Sequence, residues 1–322
     1  SMTEAFEAYQ KALTFWEKIA ARSPEVTRIP KSLLDLAAKS LDGLDPKSDA
    51  YKEIDKAQKQ VARMLRNYAF DRARIFLPVA AKTNVMMIQS ARAWVQTIQI
   101  LLSHPLPSIN ALGEAIKELA LTAPRLIRHA RVEMSAQKVL ARRLDRSACM
   151  ARELSFPLGE AAPDTFLSLP DDAFDADSYL EDIQDRTNRY SLIGETLSML
   201  PVTYGWRAIA MAEMRDMNRH RTGSKATPLV PVGFHGAQDQ IPSDLSDAER
   251  AEYAELVDFG RRLSETAARM LAAGDASYIY YTLLGTQYFF AHTTTADKTI
   301  YTMELRTGVG AHYRYADHCH DV

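Results

Sequence analysis

The stretch Met217-Asn218-Arg219-His220-Arg221-Thr222-Gly223-Ser224 places two guanidinium groups and an imidazole directly before a turn sequence. Two arginines separated by one residue cannot share a stripe of a helix, so Arg219 and Arg221 should diverge around a ligand wider than one phosphate. The stretch therefore predicts an anion site for a nucleotide or a dinucleotide. The alternative interpretation is a solvated basic helix end, which the helix macrodipole favours without any ligand.

Two further motifs help to distinguish these interpretations. A segment of alternating polarity at 203–214 precedes the Arg-His-Arg tripeptide, and Glu304-Leu305-Arg306-Thr307-Gly308 follows it far downstream, just before Ala311-His312. Together the motifs resemble those of the flavin-dependent thymidylate synthases, in particular the long members in which the family unit occurs twice in tandem. The resemblance extends from about residue 69 to the C-terminus. Arg-His-Arg is its specific part, and Glu-Leu-Arg is a weaker match.

The resemblance implies an activity and its cofactors. Members of this family bind FAD, reduce it with NADPH, and convert dUMP to dTMP with the methylene carbon of methylenetetrahydrofolate. They are typically homotetramers with sites shared between subunits, so the resemblance also implies a homo-oligomer that binds a small nucleotide. The positions that it assigns to the cofactor are Arg219, His220, Arg221, Ser224 and Arg92, and those that it assigns to the nucleotide are Arg74 and Arg306.

Arg306 is the residue to which the resemblance gives a catalytic role. Its guanidinium would approach the pyrimidine and favour the negative charge that develops on a ring oxygen. The family needs no side-chain nucleophile, because hydride from the reduced flavin and polarisation of the uracil carry the reaction. The protein therefore has to supply positive charge.

Several positions depart from the family pattern on the substrate side of the site. Where the family has a Glu, a Ser and an Arg-Tyr pair that bind the nucleotide phosphate, this chain has Thr227, Leu229, Pro231 and Val232. The Asn-x-Arg motif is altered at Ser90 in the first unit and at Thr295 and Asp297 in the second. Two outcomes stay open: a composite active site built across the two units, or a catalytically degenerate homologue with a structural or regulatory role.

The start of the chain is a further departure. Long tandem members carry a segment ahead of the region that matches Thr3 onward, and that segment holds the better-preserved substrate loop of the first unit. The resemblance therefore implies either a fragment of a longer protein or a short relative that needs a partner subunit.

Changes in composition along the chain predict an α+β fold in two tandem units. Residues 160–185 hold nine acidic residues, two prolines and no Lys or Arg, which is typical of a solvated linker. We therefore expect a helical, partial first unit at 1–150, an acidic linker at 151–185, and a second unit at 186–322 that carries the Arg-His-Arg motif. The second unit should contain a small, mainly antiparallel sheet packed on helices.

Apolar residues recur at three- and four-residue steps through much of the first half, as they do on the buried face of a helix. This spacing predicts helices at 6–21, 54–68, 88–102 and 109–132. In the second half, residues 203–212 alternate and predict a strand that leads into a helix carrying Arg219. Further helices are predicted from Ser243 to about residue 273 and at 296–306, where Thr295 can cap the first turn.

The overall composition limits the class of protein. Of the 322 residues, 47% are hydrophobic and 25% are charged, the net charge is -2, and no apolar run approaches the roughly 20 residues of a membrane span. These values predict a soluble protein and argue against a dedicated nucleic-acid-binding protein. Two cysteines, Cys149 and Cys319, are too few for a disulfide framework, so we expect a cytoplasmic protein.

Histidines outside the main motif offer a weaker alternative site. His312, His318, Cys319 and His320 carry metal-ligand side chains, but the three adjacent ones cannot all face one ion in regular structure. The isolated residues His104 and His235 are predicted to lie on the surface.

Overall fold

Helices make up most of the chain, and a small antiparallel sheet lies in its second half. The computed structural model describes residues 2–27, 29–119, 124–170, 176–308 and 311–322. The helices are α1 (Met2–Arg22), α2 (Lys31–Ala37), α3 (Asp49–Ala73), α4 (Ala91–Leu102), α5 (Pro107–Leu119), α6 (Pro124–Ile127), α7 (Met134–Arg152), α8 (Ala176–Gln184), α9 (Glu195–Met199), α10 (Met211–Met217), α11 (Asp247–Ala272), α12 (Ala296–Arg306) and α13 (Tyr313–His320). The strands are β1 (Thr165–Ser168), β2 (Pro201–Ala210), β3 (Ser224–Ala226), β4 (Gly233–Phe234) and β5 (Thr286–Thr295).

This architecture confirms the predicted α+β fold class. Four predicted helices correspond to α1, α3, α4 and α12. The single helix predicted at 109–132 is wrong, because α5 ends at Leu119, α6 is one short turn, and α7 begins at Met134. Residues 128–133, between α6 and α7, form a turn and irregular structure instead of helix. Residues 120–123 lie outside the described residues.

The start of α11 also differs from the prediction. Ser246, rather than Ser243, is the N-cap: its hydroxyl accepts from the Glu249 N–H (3.3 Å), and the Glu249 carboxylate accepts from the Ser246 N–H (3.0 Å). This reciprocal capping box satisfies amide groups that a helix start otherwise leaves unpaired.

Five strands form one antiparallel sheet in the order β1-β2-β5-β3, and β4 also pairs with β5. The register of the two central strands places Tyr204 opposite His292 and Trp206 opposite Phe290. A bulge between Trp206 and Ile209 interrupts this register near the end of β2. Bulges bend a strand locally, and here the bend precedes the entry of the chain into α10.

β1 lies within the segment predicted to be an acidic linker. It pairs with β2, with Thr165 opposite Trp206 and Ser168 opposite Thr203. Residues 171–175 of that segment lie outside the described residues. The two tandem units and their boundaries stay a prediction.

The N-terminal helices α1 and α3 pack with α11 around one aromatic cluster. Trp16 of α1 lies edge-on to Tyr253 of α11, with 5.4 Å between the ring centroids, and Phe15 stacks on Tyr253 at 4.5 Å. Phe76, in the turn after α3, lies 6.2 Å from Tyr253. Each buried ring contributes on the order of 1.5–3 kcal/mol. The two halves of the chain therefore share one hydrophobic core.

A second core fills the space between the sheet and the helices α10, α12 and α13. Its largest buried side chains are Tyr204, Trp206, Tyr288, Phe290 and Met217. Since these side chains come from both central strands and from α10, they fix the direction in which the chain leaves β2.

Alanines let α7 approach α11 closely. Ala148 and Ala151 of α7 share a third buried cluster with Ala267 of α11. Leu229 and Val232 pack against the same cluster, so the segment after β3 lies beside α7.

The longest helix is amphipathic rather than apolar. α11 has 26 residues and buries Tyr253, Ser264, Ala267 and Leu271 along one face. Within the described ranges, none of the helices is both long enough and apolar enough to cross a membrane.

Substitution of Tyr253 tests the packing of α1 on α11. The Tyr253 hydroxyl accepts a hydrogen bond from Trp16 Nε1 (3.0 Å) and donates one to the Gly236 carbonyl (2.9 Å). Tyr253→Phe leaves both buried partners unsatisfied, so we expect the free energy of unfolding in urea to fall by roughly 1–3 kcal/mol.

Tyr281→Phe is the matched control, because Tyr281 is exposed and its hydroxyl has no hydrogen bond to the described part of the chain. The free energy of unfolding of this variant should differ from that of the wild-type protein by less than about 0.5 kcal/mol. Equal free energies for the two variants would contradict the buried hydrogen-bond pair.

Candidate functional site

The Arg-His-Arg stretch follows directly from the end of the central strand β2. At Ala210 the chain turns into α10, where the Glu213 carboxylate accepts a hydrogen bond from the Ala210 N–H (2.7 Å). α10 ends at Met217, whose side chain is buried in the second core. Arg219 and His220 therefore leave the helix at a position that the core fixes.

Gly223 forms the turn after the tripeptide. Its φ is +67°, and a Cβ at this position would collide with the carbonyl oxygen of Thr293. Glycine meets both conditions at little cost, which explains the Thr-Gly-Ser sequence. On one side of the turn His292 Nε2 donates to the Thr222 carbonyl (2.6 Å), and on the other side Ser224 pairs with Thr293. The loop is thereby held against β5.

His220 and Arg306 form the contact between the two sequence motifs. Arg306 Nε donates to His220 Nε2 (2.8 Å), and Thr302 Oγ1 lies 3.2 Å from His220 Nδ1. A guanidinium can only donate, so Nε2 accepts and the imidazole proton lies on Nδ1, which donates to Thr302. The neighbouring arginine therefore fixes the tautomer of His220.

The same contact keeps the imidazole neutral. Burial, together with the charges of Arg306, His292 and Lys225, lowers the pKa of His220 to about 4. A neutral imidazole can accept the Arg306 hydrogen bond, whereas a protonated one would repel the guanidinium.

Asp216 joins three of the predicted site arginines. Its carboxylate lies 3.5 Å from Arg74 Nη2 and 3.2 Å from Arg219 Nη2, and its carbonyl accepts from Arg306 Nη2 (2.9 Å). Arg74 comes from the turn after α3, so this group includes a residue from the first half of the chain. The structure thus brings Arg74, Arg219, His220 and Arg306 together.

An open cleft of about 900 Å³ lies beside this group. Its walls are the loop 189–193 with Ser198, the loop 219–222, and one face of α12. The described lining carries five cationic side chains and one carboxylate; these are Arg189, Arg219, Arg221, Lys298 and Arg306 against Asp297. The cleft is therefore suited to an anionic ligand.

The cations differ in how far the protein already satisfies them. Arg219 is paired with Asp216, and Lys298 lies 2.9 Å from Asp297. Arg221 is exposed and has no ion pair with the residues that the structure describes. Arg219 therefore already has an internal partner, whereas Arg221 is free to bind an external anion.

A salt bridge holds the outer wall of the cleft. Arg186 donates to both carboxylate oxygens of Glu304 (2.6 Å each), and its Nη2 also donates to the Arg189 carbonyl (2.9 Å). Tyr190 in this loop faces Tyr301 of α12, with 6.5 Å between the ring centroids. Glu304 of the Glu-Leu-Arg motif therefore anchors the loop, while Arg306 orients towards His220.

Sequence reasoning missed Arg186, Arg189, Tyr190, Lys298 and Tyr301. The loop residues follow the acidic segment and show no periodicity, so no local signal marks them. Their positions depend on the salt bridge to Glu304, 118 residues away.

Three predicted site residues do not line the cleft: Arg74, which reaches the group through Asp216, and Ser224 and Arg92. Ser224 is exposed at the start of β3, where it pairs with Thr293. Arg92 is exposed in the first turn of α4, a helix that packs on α5, α6 and α7. Their assignment to the cofactor stays a prediction.

A buried polar network on the other side of α10 was not predicted as such. Glu213 lies 3.3 Å from Arg314 Nε and 3.1 Å from His318 Nε2. Burial alone would raise the pKa of Glu213, but the His318 hydrogen bond and the Arg314 charge lower it to about 2. The network fastens α13 to α10, the helix that leads into the Arg-His-Arg stretch.

The prediction that His235 lies on the surface is wrong. Its side chain is buried, with Nδ1 2.7 Å from Glu160 and Nε2 3.0 Å from the Tyr313 hydroxyl. These partners are 75 and 78 residues away, so local sequence could not reveal them. His104, also predicted to lie on the surface, is half-buried.

The C-terminal histidines have partners of their own. His312 Nε2 donates to the Asp71 carbonyl (3.3 Å), His318 binds Glu213, and Cys319 is buried against Met217. In the described segments no three metal-ligating side chains converge.

Comparison with known proteins finds distant structural likeness only. No protein-family model matches the chain, and no curated protein matches it. A solved structure, a UMP/dUMP methylase PolB from Streptomyces cacaoi bound with 5-Br UMP, aligns over 51% of this chain and 89% of its own, with a TM-score of 0.36 and 16% sequence identity. A likeness of this extent carries no conclusion about activity.

Titration of His220 tests the geometry of the site. We expect NMR of the labelled imidazole to show the Nδ1–H tautomer and a pKa of about 4. Because this value lies below the unfolded-state value of about 6.5, the stability that His220 contributes above that pH is lost as the pH falls from about 6.5 to about 4.

Arg306→Gln removes the nearest positive charge, so the pKa of His220 should rise towards its ordinary value. Arg189→Gln is the control: it removes a cleft cation that is not among the causes of the shift, and it should leave the titration unchanged. An unchanged pKa in the Arg306 variant would show that the contact does not exist in solution.

Proposed function

We propose that the cleft binds a uracil nucleotide and that the protein methylates it reductively, converting dUMP to dTMP with FAD, NADPH and methylenetetrahydrofolate. The observation that carries this proposal is the position of Arg306, which lines the cleft and is oriented by neutral His220. A cation fixed in this way favours negative charge on an oxygen of a bound ring without having to reorganise.

The side chains of the cleft fit a phosphate-bearing ligand with a flat ring. Its volume of about 900 Å³ is within the range of small-molecule sites. Tyr190 and Tyr301 offer aromatic faces, and Arg221 offers an unpaired guanidinium. Arg219 and Arg221 would hold the flavin, which supplies hydride when bound. Arg306 would contact the pyrimidine.

The residues that bind the nucleotide phosphate in the family are replaced in this chain. Cations from another part of the chain must therefore bind the phosphate. The segment that departs from the family pattern, with Leu229 and Val232, packs beside α7 and not in the cleft. Arg189 and Lys298 are the remaining cations of the described cleft. We therefore assign the phosphate to these two residues.

A homologue that binds a ligand without catalysis is the second candidate. Arg306 already donates to His220 and to the Asp216 carbonyl, while Arg74 and Arg219 both pair with Asp216. Internal partners of this kind favour a structural or regulatory role with partial or no nucleotide and flavin binding. Activity distinguishes the two candidates.

Association of several copies in the cytoplasm is part of the proposal, as the family resemblance implies. Val85, Met86 and Ile88 expose between 72% and 89% of their surface in one extended segment, and such apolar side chains are available for contact with another copy.

Turnover of the Arg306→Ala variant tests the reaction. With dUMP, FAD, NADPH and methylenetetrahydrofolate present, we expect the wild-type protein to form dTMP and the variant to be slower by about 100- to 1000-fold. Arg215→Gln removes an exposed cation outside the cleft and should retain full activity. An equally active Arg306 variant would remove its assigned role, and an inactive wild-type protein would favour the second candidate.

Binding of dUMP tests the phosphate assignment separately from turnover. Arg189→Gln should weaken dUMP binding roughly tenfold in calorimetry, because a charge-assisted hydrogen bond is lost. Arg215→Gln again serves as the control. Equal affinities in these two variants would place the phosphate elsewhere.

A further inference from the structure

A second basic site lies between α7 and the segment after the Thr-Gly-Ser turn. Arg142, Arg143 and Arg146 of α7 and Lys225 of β3 line a groove of about 710 Å³. Apolar atoms of Val139 and Met150 border it on the helix, and Ala226 to Pro228 form the opposite wall. We call it the basic groove.

The helix presents these cations on one stripe. Residues 139, 142, 143, 146 and 150 follow the three- and four-residue steps of a single α-helical face. The three arginines lie within about one turn, roughly 6 Å along the axis. Their guanidiniums can therefore reach neighbouring anionic groups of the same ligand.

The protein itself does not neutralise this charge. No carboxylate lines the basic groove among the described residues. Arg142, Arg143 and Arg146 are exposed, and none has an ion pair with any residue in the described ranges, including the nearby Asp145. Four cations in one concave site, without an internal counter-charge, favour an external anion.

We propose that the basic groove binds the diphosphate group of a small ligand, such as a nucleoside diphosphate. Arginine matches phosphate oxygens in pairs of parallel hydrogen bonds, and clustered arginines bind adjacent phosphates. The apolar edges at Val139 and Met150 suit the uncharged part of such a ligand.

The extent of the cations favours a small ligand over a nucleic-acid strand. Specific nucleic-acid binding typically uses about 6–10 phosphate contacts along a continuous track. Here the groove holds four cations, its lining on α7 ends at Val139 and Met150, and the net charge of the chain is -2. A ligand with two or three phosphates matches this length.

The basic groove is distinct from the cleft but borders the same segment. The two sites share no described lining residue: residues 219–222 face the cleft, and residues 225–228 face the basic groove. Lys225 Nζ also donates to the His220 carbonyl, so a ligand that attracts this ammonium acts on the loop that carries Arg219 and His220. The basic groove is therefore a binding site that the proposed methylation reaction does not use.

Calorimetric titration of the full chain with inorganic pyrophosphate tests the proposal. We expect saturable binding that is tighter than that of inorganic phosphate and that weakens roughly tenfold in Arg142→Gln and in Arg146→Gln. Both side chains are exposed, so thermal unfolding should be unchanged in these variants.

Two controls locate the site. Lys138→Gln removes a charge from an exposed position of α7 outside the basic groove, and Arg221→Gln removes one from the cleft. Lys138→Gln should change pyrophosphate affinity less than about twofold, and Arg221→Gln should leave binding in the basic groove intact. Loss of binding in Arg221→Gln but not in Arg142→Gln would place the anion in the cleft and overturn the proposal.

The remaining outcomes also decide the question. Absence of saturable pyrophosphate binding would show that the arginines form a solvated surface only. Tighter binding of a short single-stranded DNA, lost in Arg142→Gln and falling steeply with salt, would identify a nucleic-acid surface instead. Neither result depends on whether the cleft binds dUMP or forms dTMP.

Discussion

The hydrogen bond from Arg306 Nε to His220 Nε2 joins the end of α12 to the loop after α10, and the site depends on it. It requires that β2 and β5 be neighbours, because each strand runs directly into one of these helices. It also requires a neutral imidazole, which burial and the surrounding cations provide. The sheet, the second core and the low pKa of His220 are therefore all needed for the contact between Arg306 and His220.

Asp216 links the site to Arg74, a residue from the first half of the chain. It holds Arg74, which follows α3, next to Arg219, while the aromatic cluster around Tyr253 fixes α1 and α3 on α11. Asp71 also lies 3.5 Å from Arg74 Nε, so two carboxylates balance these two arginines, and the positive charge of the cleft comes from its other cations. The cleft thus depends on packing between segments that are remote in sequence.

Local sequence predicted the elements that carry the motifs but not their surroundings. Alternation at 203–212 anticipated β2, and Thr295 marked the start of α12, because both are local properties. The predicted cap itself is not formed, since the Thr295 hydroxyl donates to the Asp297 carboxylate and makes no capping hydrogen bond. The prediction failed for His235 and missed Arg186, since their partners Glu160 and Glu304 are 75 and 118 residues away. Contacts of this separation follow from tertiary packing, which no local pattern encodes.

A titration of the purified protein with FAD, followed by flavin absorbance with and without dUMP, tests the central claim most directly. The geometry of Arg221, Tyr301 and Arg306 in one cleft predicts saturable FAD binding that dUMP strengthens. Absence of flavin binding at every concentration, with and without dUMP, would contradict the claim and would leave the Arg-His-Arg motif with a structural role.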